Sequence, residues 1–213
     1  MVGKGVLLEC LESAEVESVL IINRRPLGME HAKLKEIVHG DFHDLSSIRS
    51  ELGGYNACYF CLGVSSVGMK EESYAHVTYD LTLHMAEILV ELNKEMTFCY
   101  VSGTGTDSSE KGRTMWARVK GRTENALLAL PFKAAYMFRP GYIQPMKGIR
   151  SATKLYNALY VVFKPFYPLL KSLFPKYVTS TVQVGEAMIN IVSKGYEKKF
   201  LENRDINVVA AYR

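Results

Sequence analysis

Several side-chain groupings in this chain have the types and spacing from which chemistry is made. Cys58-Tyr59-Phe60-Cys61 has the Cys-x-x-Cys spacing of redox pairs and metal sites. On a strand, positions three apart point to opposite faces, so the two sulfurs do not meet and ordinary burial is expected. His31, His39, His43, His76 and His84 form no ligand spacing; His39 and His43 approach each other across a turn, with no third ligand nearby. Asp107-Ser108-Ser109-Glu110 offers an acid cluster, whose expected role is to cap the helix that follows. A serine-hydrolase elbow of the form Gly-x-Ser-x-Gly does not occur in the sequence. Trp116 and Lys120 are four apart in a helical pattern and so share one face. An indole N–H only donates and does not cycle a proton near neutral pH.

The elements that position these residues follow from apolar periodicity. Val6, Leu7, Cys10 and Leu11 repeat at helical spacing behind Gly3 and Gly5. Residues 18–23 (SVLIIN) form a β-branched run stopped by Arg24-Arg25-Pro26, read as a buried strand. A weaker strand is expected at 35–39, then a short helix capped by Asp44 and closed by Gly53-Gly54, then a strand at 57–62. The longest amphipathic helix covers roughly 72–93. Strands at 96–101 and 134–138 flank a helix at 113–130. After a long aromatic stretch come a helix near 182–192 and a short strand at 206–209.

The 213 residues are 48% hydrophobic and 23% charged, with 26 Lys plus Arg against 22 Asp plus Glu and a net charge of +4. That composition excludes a disordered, collagenous or disulfide-scaffold chain. The charge is too weak to imply nucleic acid. Four cysteines in apolar settings point to a reducing compartment, and the absence of a signal-peptide pattern to a cytoplasmic location. Alternating strands and helices predict an α/β fold, a doubly wound, mostly parallel sheet in one domain over 1–213.

Ligands of such sheets bind beyond the carboxyl ends of the strands. The residues there are Asn23-Arg24-Arg25, Gly40-Asp41-Phe42, Gly63-Val64-Ser65-Ser66, the stretch 102–107, and Arg139-Pro140-Gly141-Tyr142. Glycine and small polar residues let backbone approach a ligand closely.

In the order and spacing of VLIINRRP, the Gly40-Asp41-Phe42 turn, YVSGTGTDSSEKGRTMWARVKGRTE and FRPGYIQP, the chain resembles the atypical short-chain dehydrogenase/reductases. It is similar in particular to their NAD-dependent epimerase/dehydratase-like, Tat-interacting-protein-like branch. The resemblance covers almost the whole chain and implies a Rossmann-like fold that binds a dinucleotide. It puts Arg24 and Arg25 at the adenosine ribose, where a guanidinium pair suits a 2′-phosphate and so favours NADP over NAD; the same pair also reads as an exposed basic end to a strand. Asp41 and Phe42 would flank the adenine, with a turn role open for Asp41. Cys61, Leu62 and Gly63 would line the strand end that passes the cofactor, with Arg139 and Gly141 beyond the later strand. Lys120 would hold the nicotinamide ribose and Ser102 would face the substrate, these two being the catalytic candidates.

Two departures from the family pattern stand out. A tyrosine normally precedes the lysine by four residues and handles the proton; here Trp116 stands in its place. Tyr100 and Tyr142 are poor substitutes. The family also opens with an apolar strand and a turn of the form Gly-x-x-Gly-x-x-Gly. Met1-Val2-Gly3 matches only the last three positions of that turn, with Gly3 its final glycine and Lys4 adding charge at the helix start. The expectation is an N-terminally truncated version whose missing strand lies between 19–22 and 57–62.

Residues 150–199 hold eight Lys or Arg against two Glu, and 155–174 are strongly apolar and aromatic but broken by Lys164, Pro165, Pro168 and Lys171. A substrate-side lid over 142–180 with a dimer contact is the preferred reading; an anionic membrane surface is the other. The leading functional expectation is therefore an NADP-binding oxidoreductase or epimerase-like protein acting on a small apolar substrate. The alternatives are a dinucleotide-sensing or protein-interaction module without turnover, and a membrane-surface adaptor.

Overall fold

A computed structural model describes residues 1–150, 167, 169, 173, 174 and 176–212. Most of the 155–174 stretch therefore lies outside the described residues, as does much of the expected 142–180 lid. The chain gathers into two compact units. One comprises Met1–Ile21, Gly28–Glu36 and Arg139–Arg213, the other Ile22–Leu27 and Ile37–Phe138.

The second unit carries the larger sheet. Its strands are β3 (Ala57–Phe60), β4 (Thr97–Val101) and β5 (Ala134–Arg139), parallel and in that order. Phe60 stands opposite Tyr100, and Val101 opposite Phe138. With a neighbour on each side, β4 is buried from Thr97 to Tyr100. Phe98 packs between Phe60 and Phe132, with ring centroids 6.0 and 5.1 Å away.

The expected helix near 72–93 forms in three parts: α2 (Glu71–Ala75), one π-helical turn (His76–Asp80) and α3 (Leu81–Leu92). The π turn absorbs an extra residue, and Tyr74, Thr78, Leu81, Met85 and Leu89 are all buried. Against this helix lies α4 (Met115–Ala129). Arg118 reaches Glu71 at 2.5 Å, and the Arg122 guanidinium sits 3.9 Å from the centre of the Tyr79 ring.

Two strands run side by side ahead of the sheet, β1 (Val19–Asn23) and β2 (Leu34–Val38). Val19 N–H donates to Lys33 O and His39 N–H to Asn23 O, each at 2.8 Å, so both strands run in the same direction. The expectation of a buried strand at 18–23 is corrected: every residue of β1 is half-buried. Among the described residues its ladder has β2 on one side only, and its apolar side chains are covered in part. The helix expected after Asp44 is a 3-10 helix over Ser46–Leu52, where the tighter turn suits a seven-residue piece. Asp44 does organise its start, accepting the Ser46 N–H at 3.0 Å.

The first unit is built on two helices in close contact, α1 (Val2–Glu12) and α5 (Thr181–Lys194). A β-carbon at Gly5 would lie 2.6 Å from Thr181 Cβ, and one at Gly185 would lie 2.5 Å from Glu9 Cγ. The nearly buried Glu9 and the exposed Glu12 are both paired with Lys147. A short parallel pair, β6 (Tyr142–Gln144) and β7 (Val178–Ser180), precedes α5, whose N-cap Ser180 accepts the Gln183 N–H at 3.2 Å.

The strand expected at 206–209 is a helix, α6 (Asn203–Ala210), and the strand β8 (Phe200–Glu202) precedes it. A reciprocal capping box between Glu202 and Asp205 starts the helix. Ile206 and Val209 then lie three apart on its buried side, a helical spacing that a four-residue apolar run does not reveal.

Candidate functional site

The candidate residues of the second unit begin where its strands end. Because Phe60 is in register with Tyr100, the segments after β3 and β4 leave the sheet at the same end. Cys61 and Leu62 are half-buried there and Gly63 is exposed, with no atom within 4 Å of where its β-carbon would be. Ser102 follows β4 and is held to β5 by its N–H, which donates to Phe138 O at 2.8 Å.

Behind Ser102 lies a compact polar cluster. Its hydroxyl is 2.5 Å from Glu124 Oε1 and 3.1 Å from Phe138 O. Lys120 Nζ donates to the Ser102 carbonyl. Lys120 and Glu124 share a face of α4, one turn apart. Glu124 is fully buried and Ser102 is 6% exposed. Burial pushes the Lys120 ammonium down to about 8, while Glu124 pulls in the opposite direction. Ser102 thus points inward, its oxygen engaged by Glu124 and a backbone carbonyl.

The structure brings the sequence candidates Ser102 and Lys120 together with Glu124, which sequence reasoning did not name. The available signal was its place four residues beyond Lys120 on the same helix.

The loop after Ser102 is fastened to α4. A β-carbon at Gly121 would fall 1.8 Å from the Asp107 carbonyl oxygen, so loop backbone occupies the space a side chain would need. The Asp107 carboxylate accepts from Ser109 N–H, Ser109 Oγ and Gly112 N–H, which holds its titration below the usual range. This corrects the expected helix cap: α4 starts at Thr114 without a side-chain cap, and Asp107 shapes the loop instead. Gly105, in the left-handed region at φ 87°, lies under the Trp116 ring: a β-carbon there would be 3.5 Å from the indole.

Arg24 and Arg25 are exposed just after β1, and neither has an ion-pair partner among the described residues. Since His39 N–H pairs with Asn23 O, they leave the β1–β2 pair at the same end as Gly40 and Asp41. Asp41 Oδ1 accepts the His43 N–H at 2.9 Å, the turn role left open for it. Phe42 is 8% exposed, its ring edge-on to His39 at 6.2 Å.

The remaining candidates belong to the first unit. Gly3 lies in the first turn of α1. The Arg139 guanidinium is 4.5 Å above the Phe200 ring and 3.6 Å from Glu202, and Gly141 N–H donates to the buried Asn203 carboxamide oxygen at 2.9 Å.

The thiols behave as ordinary core groups. None of Cys10, Cys58, Cys61 and Cys99 forms a disulfide, and burial pushes Cys10 up to about 12 and raises Cys58 and Cys99 as well. His43 stacks on His76 with ring centroids 4.2 Å apart, while His39 Nε2 meets Asp44 O. Among the described residues no group of His, Cys, Asp and Glu has the arrangement to hold a metal ion, and no helix is long and apolar enough to cross a membrane.

No protein-family model matches the chain. It is 28% identical to the rat protein HTATIP2 over 210 residues, which span 96% of this chain and 83% of the relative. It is 27% identical over 143 residues to the mitochondrial protein FMP52 of Debaryomyces hansenii, covering 66% of this chain and 62% of that one. Among solved structures it is similar to the dTDP-glucose 4,6-dehydratase DesIV of Streptomyces venezuelae, with NAD and TYD bound. The TM-score is 0.65 at 14% identity, over 98% of this chain and 76% of that one. It is also similar to the ADP-L-glycero-D-manno-heptose-6-epimerase of Helicobacter pylori, at TM-score 0.62 and 13% identity over 91% and 69% of the two chains. The fold is thus Rossmann-like α/β, and the likenesses support assignment to the atypical short-chain dehydrogenase/reductases.

Proposed function

We propose that this relative of the atypical short-chain dehydrogenase/reductases is a nicotinamide-dinucleotide-binding protein of oxidoreductase or epimerase-like type, acting on a small apolar substrate. The observation that carries the reading is the Ser102–Lys120–Glu124 cluster at the carboxyl end of β4, where parallel sheets of this kind bind their ligands. DesIV and the Bordetella bronchiseptica enzyme WbmF, which this fold resembles, were solved with NAD and NAD+.

The residues present suit such a ligand. Exposed Arg24 and Arg25, without ion-pair partners among the described residues, offer two guanidinium groups to a 2′-phosphate, which favours NADP. Gly63, open on its Cβ side, admits a ligand close to backbone. In this reading Asp41 and Phe42 lie by the adenine, and Cys61 and Leu62 along the cofactor. Lys120 lies at the nicotinamide ribose. When bound, the dinucleotide supplies or accepts hydride. The chain's own contribution is to orient it and to keep a charged amine at Ser102.

The sole tryptophan, Trp116, reports binding directly. Titration with NADPH and NADH is expected to quench its fluorescence, with NADPH at least tenfold tighter. Arg24→Glu with Arg25→Glu should abolish that preference. Absence of quenching by either dinucleotide at millimolar concentration overturns the reading. A second reading, dinucleotide sensing without turnover, is favoured by Trp116 itself, because an indole does not shuttle protons. Quenching by NADPH without consumption in the presence of aldehydes and ketones would select it.

A further inference from the structure

Reduction of a carbonyl needs a proton at the oxygen, and the residues around Ser102 leave few donors. Trp116 presents an N–H that does not cycle near neutral pH. Tyr100 is 1% exposed, and burial, with Tyr74 and Glu124 adding to it, drives its phenol far above the ordinary range. The Ser102 hydroxyl is engaged with Glu124 and Phe138 O.

Lys120 remains. It is half-buried, shares the outward turn of α4 with Trp116, and is steered by one N–H onto the Ser102 carbonyl. An ammonium has three donors, so two are left to face a ligand.

We infer that the Lys120 ammonium is the proton donor of this site, with Glu124 and Ser102 as the residues that position it. The inference rests on the dinucleotide-dependent reading above and gives that site its acid. One proton moves: an Nζ–H bond breaks and an O–H bond forms on the substrate's carbonyl oxygen. The carbonyl carbon takes up hydride from a reduced nicotinamide dinucleotide, and the neutral amine regains its proton from water.

The surroundings suit that task. Among the described residues, Glu124 is the charged group that acts on Lys120, and it favours the ammonium, whereas burial favours the amine. On the helix packed against α4, Glu71 is bound by Arg118, Tyr79 lies beneath Arg122, and Tyr74 is buried. From β4, Ser102 contributes its backbone carbonyl. An amine titrating at about 8 sits close to working pH, where a general acid is most effective. Arginine in its place would keep the charge yet not release a proton.

The test uses the full chain. Trace acetic anhydride labelling from pH 6 to 10.5, read lysine by lysine by mass spectrometry, should give Lys120 a half-point near 8 while exposed lysines follow the usual value of about 10.4. Glu124→Gln should lower the Lys120 half-point and Glu124→Asp restore it. NADPH binding is read separately by Trp116 quenching, and turnover by NADPH consumption with a panel of small aldehydes.

Lys120→Arg, which keeps a cation at the ribose, should still show the quench with NADPH affinity weakened no more than about tenfold, and lose about 100-fold or more of the consumption at saturating NADPH. Lys120 labelling together with the exposed lysines, or full consumption by Lys120→Arg, overturns the inference and leaves the dinucleotide reading standing. A low Lys120 half-point without any quench by NADPH or NADH overturns the dinucleotide reading, and the donor role falls with it.

Discussion

A β-carbon added at Gly121 would lie 1.8 Å from the Asp107 carbonyl oxygen and 2.4 Å from its carbon, with backbone rather than a flexible side chain in the way. Gly121→Ala is therefore expected to lift the 107–112 loop from α4 and to cost about 1–3 kcal/mol, the range for overpacked sites. Thermal unfolding measures it, and an unchanged midpoint would contradict the close approach. Ser102→Ala removes a donor from a fully buried carboxylate, with an expected loss of about 1–3 kcal/mol in urea unfolding. The two residues differ in how far the sequence announced them. Ser102 and Lys120 could be named as candidates because strand ends and i, i+4 spacing are local patterns. The fit of Gly121 against Asp107 joins segments fourteen positions apart, and only their packing brings it out.

Among the elements, the helices and the β3–β5 strands follow from periodicity nearly to their ends, since each buries one stripe or face. The failures have physical causes as well. In α6 the apolar residues number too few to show a 3.6-residue period, and the start signal is the Glu202–Asp205 capping box. Asp205 also binds Lys198 at 2.8 Å and Tyr196 at 2.9 Å. Burial works to raise its carboxyl, but these partners outweigh it and hold it below the ordinary value. A depressed carboxylate stabilises the fold above its unfolded titration near 4, and that contribution is lost as pH falls through the folded value. Asp205→Ala is thus expected to cost about 1–2 kcal/mol at pH 7. The gap between wild type and variant should close on acidification below pH 4. A gap that is the same at pH 7 and pH 3 would argue against the carboxylate as its source.

For the molecule as a whole, the sequence pattern delivered the α/β class, and the likeness to solved dehydratase and epimerase structures agrees with it. Substrate identity was not legible, because it depends on pocket shape rather than on residue spacing. The half-buried ammonium of Lys120 gives the folding equilibrium a marker on the alkaline side. Native Lys120 gives up its proton at about 8, the unfolded chain near 10.4. Between these values the unfolded state binds more protons, so this residue's contribution to stability rises with pH. Comparing urea midpoints of wild type and Lys120→Met from pH 7.5 to 10.5 should show the difference moving in favour of wild type; a flat difference would contradict a lowered Lys120 titration. The π turn at His76–Asp80 bears on how the helix tolerates a change of length. One surplus residue looped into a single wide turn leaves the segments before and after it in phase. Excising one codon there should yield a plain α-helix that still presents Tyr74 and Met85 inward, so a one-residue deletion is expected to cost less stability at this turn than one within Leu81–Leu92.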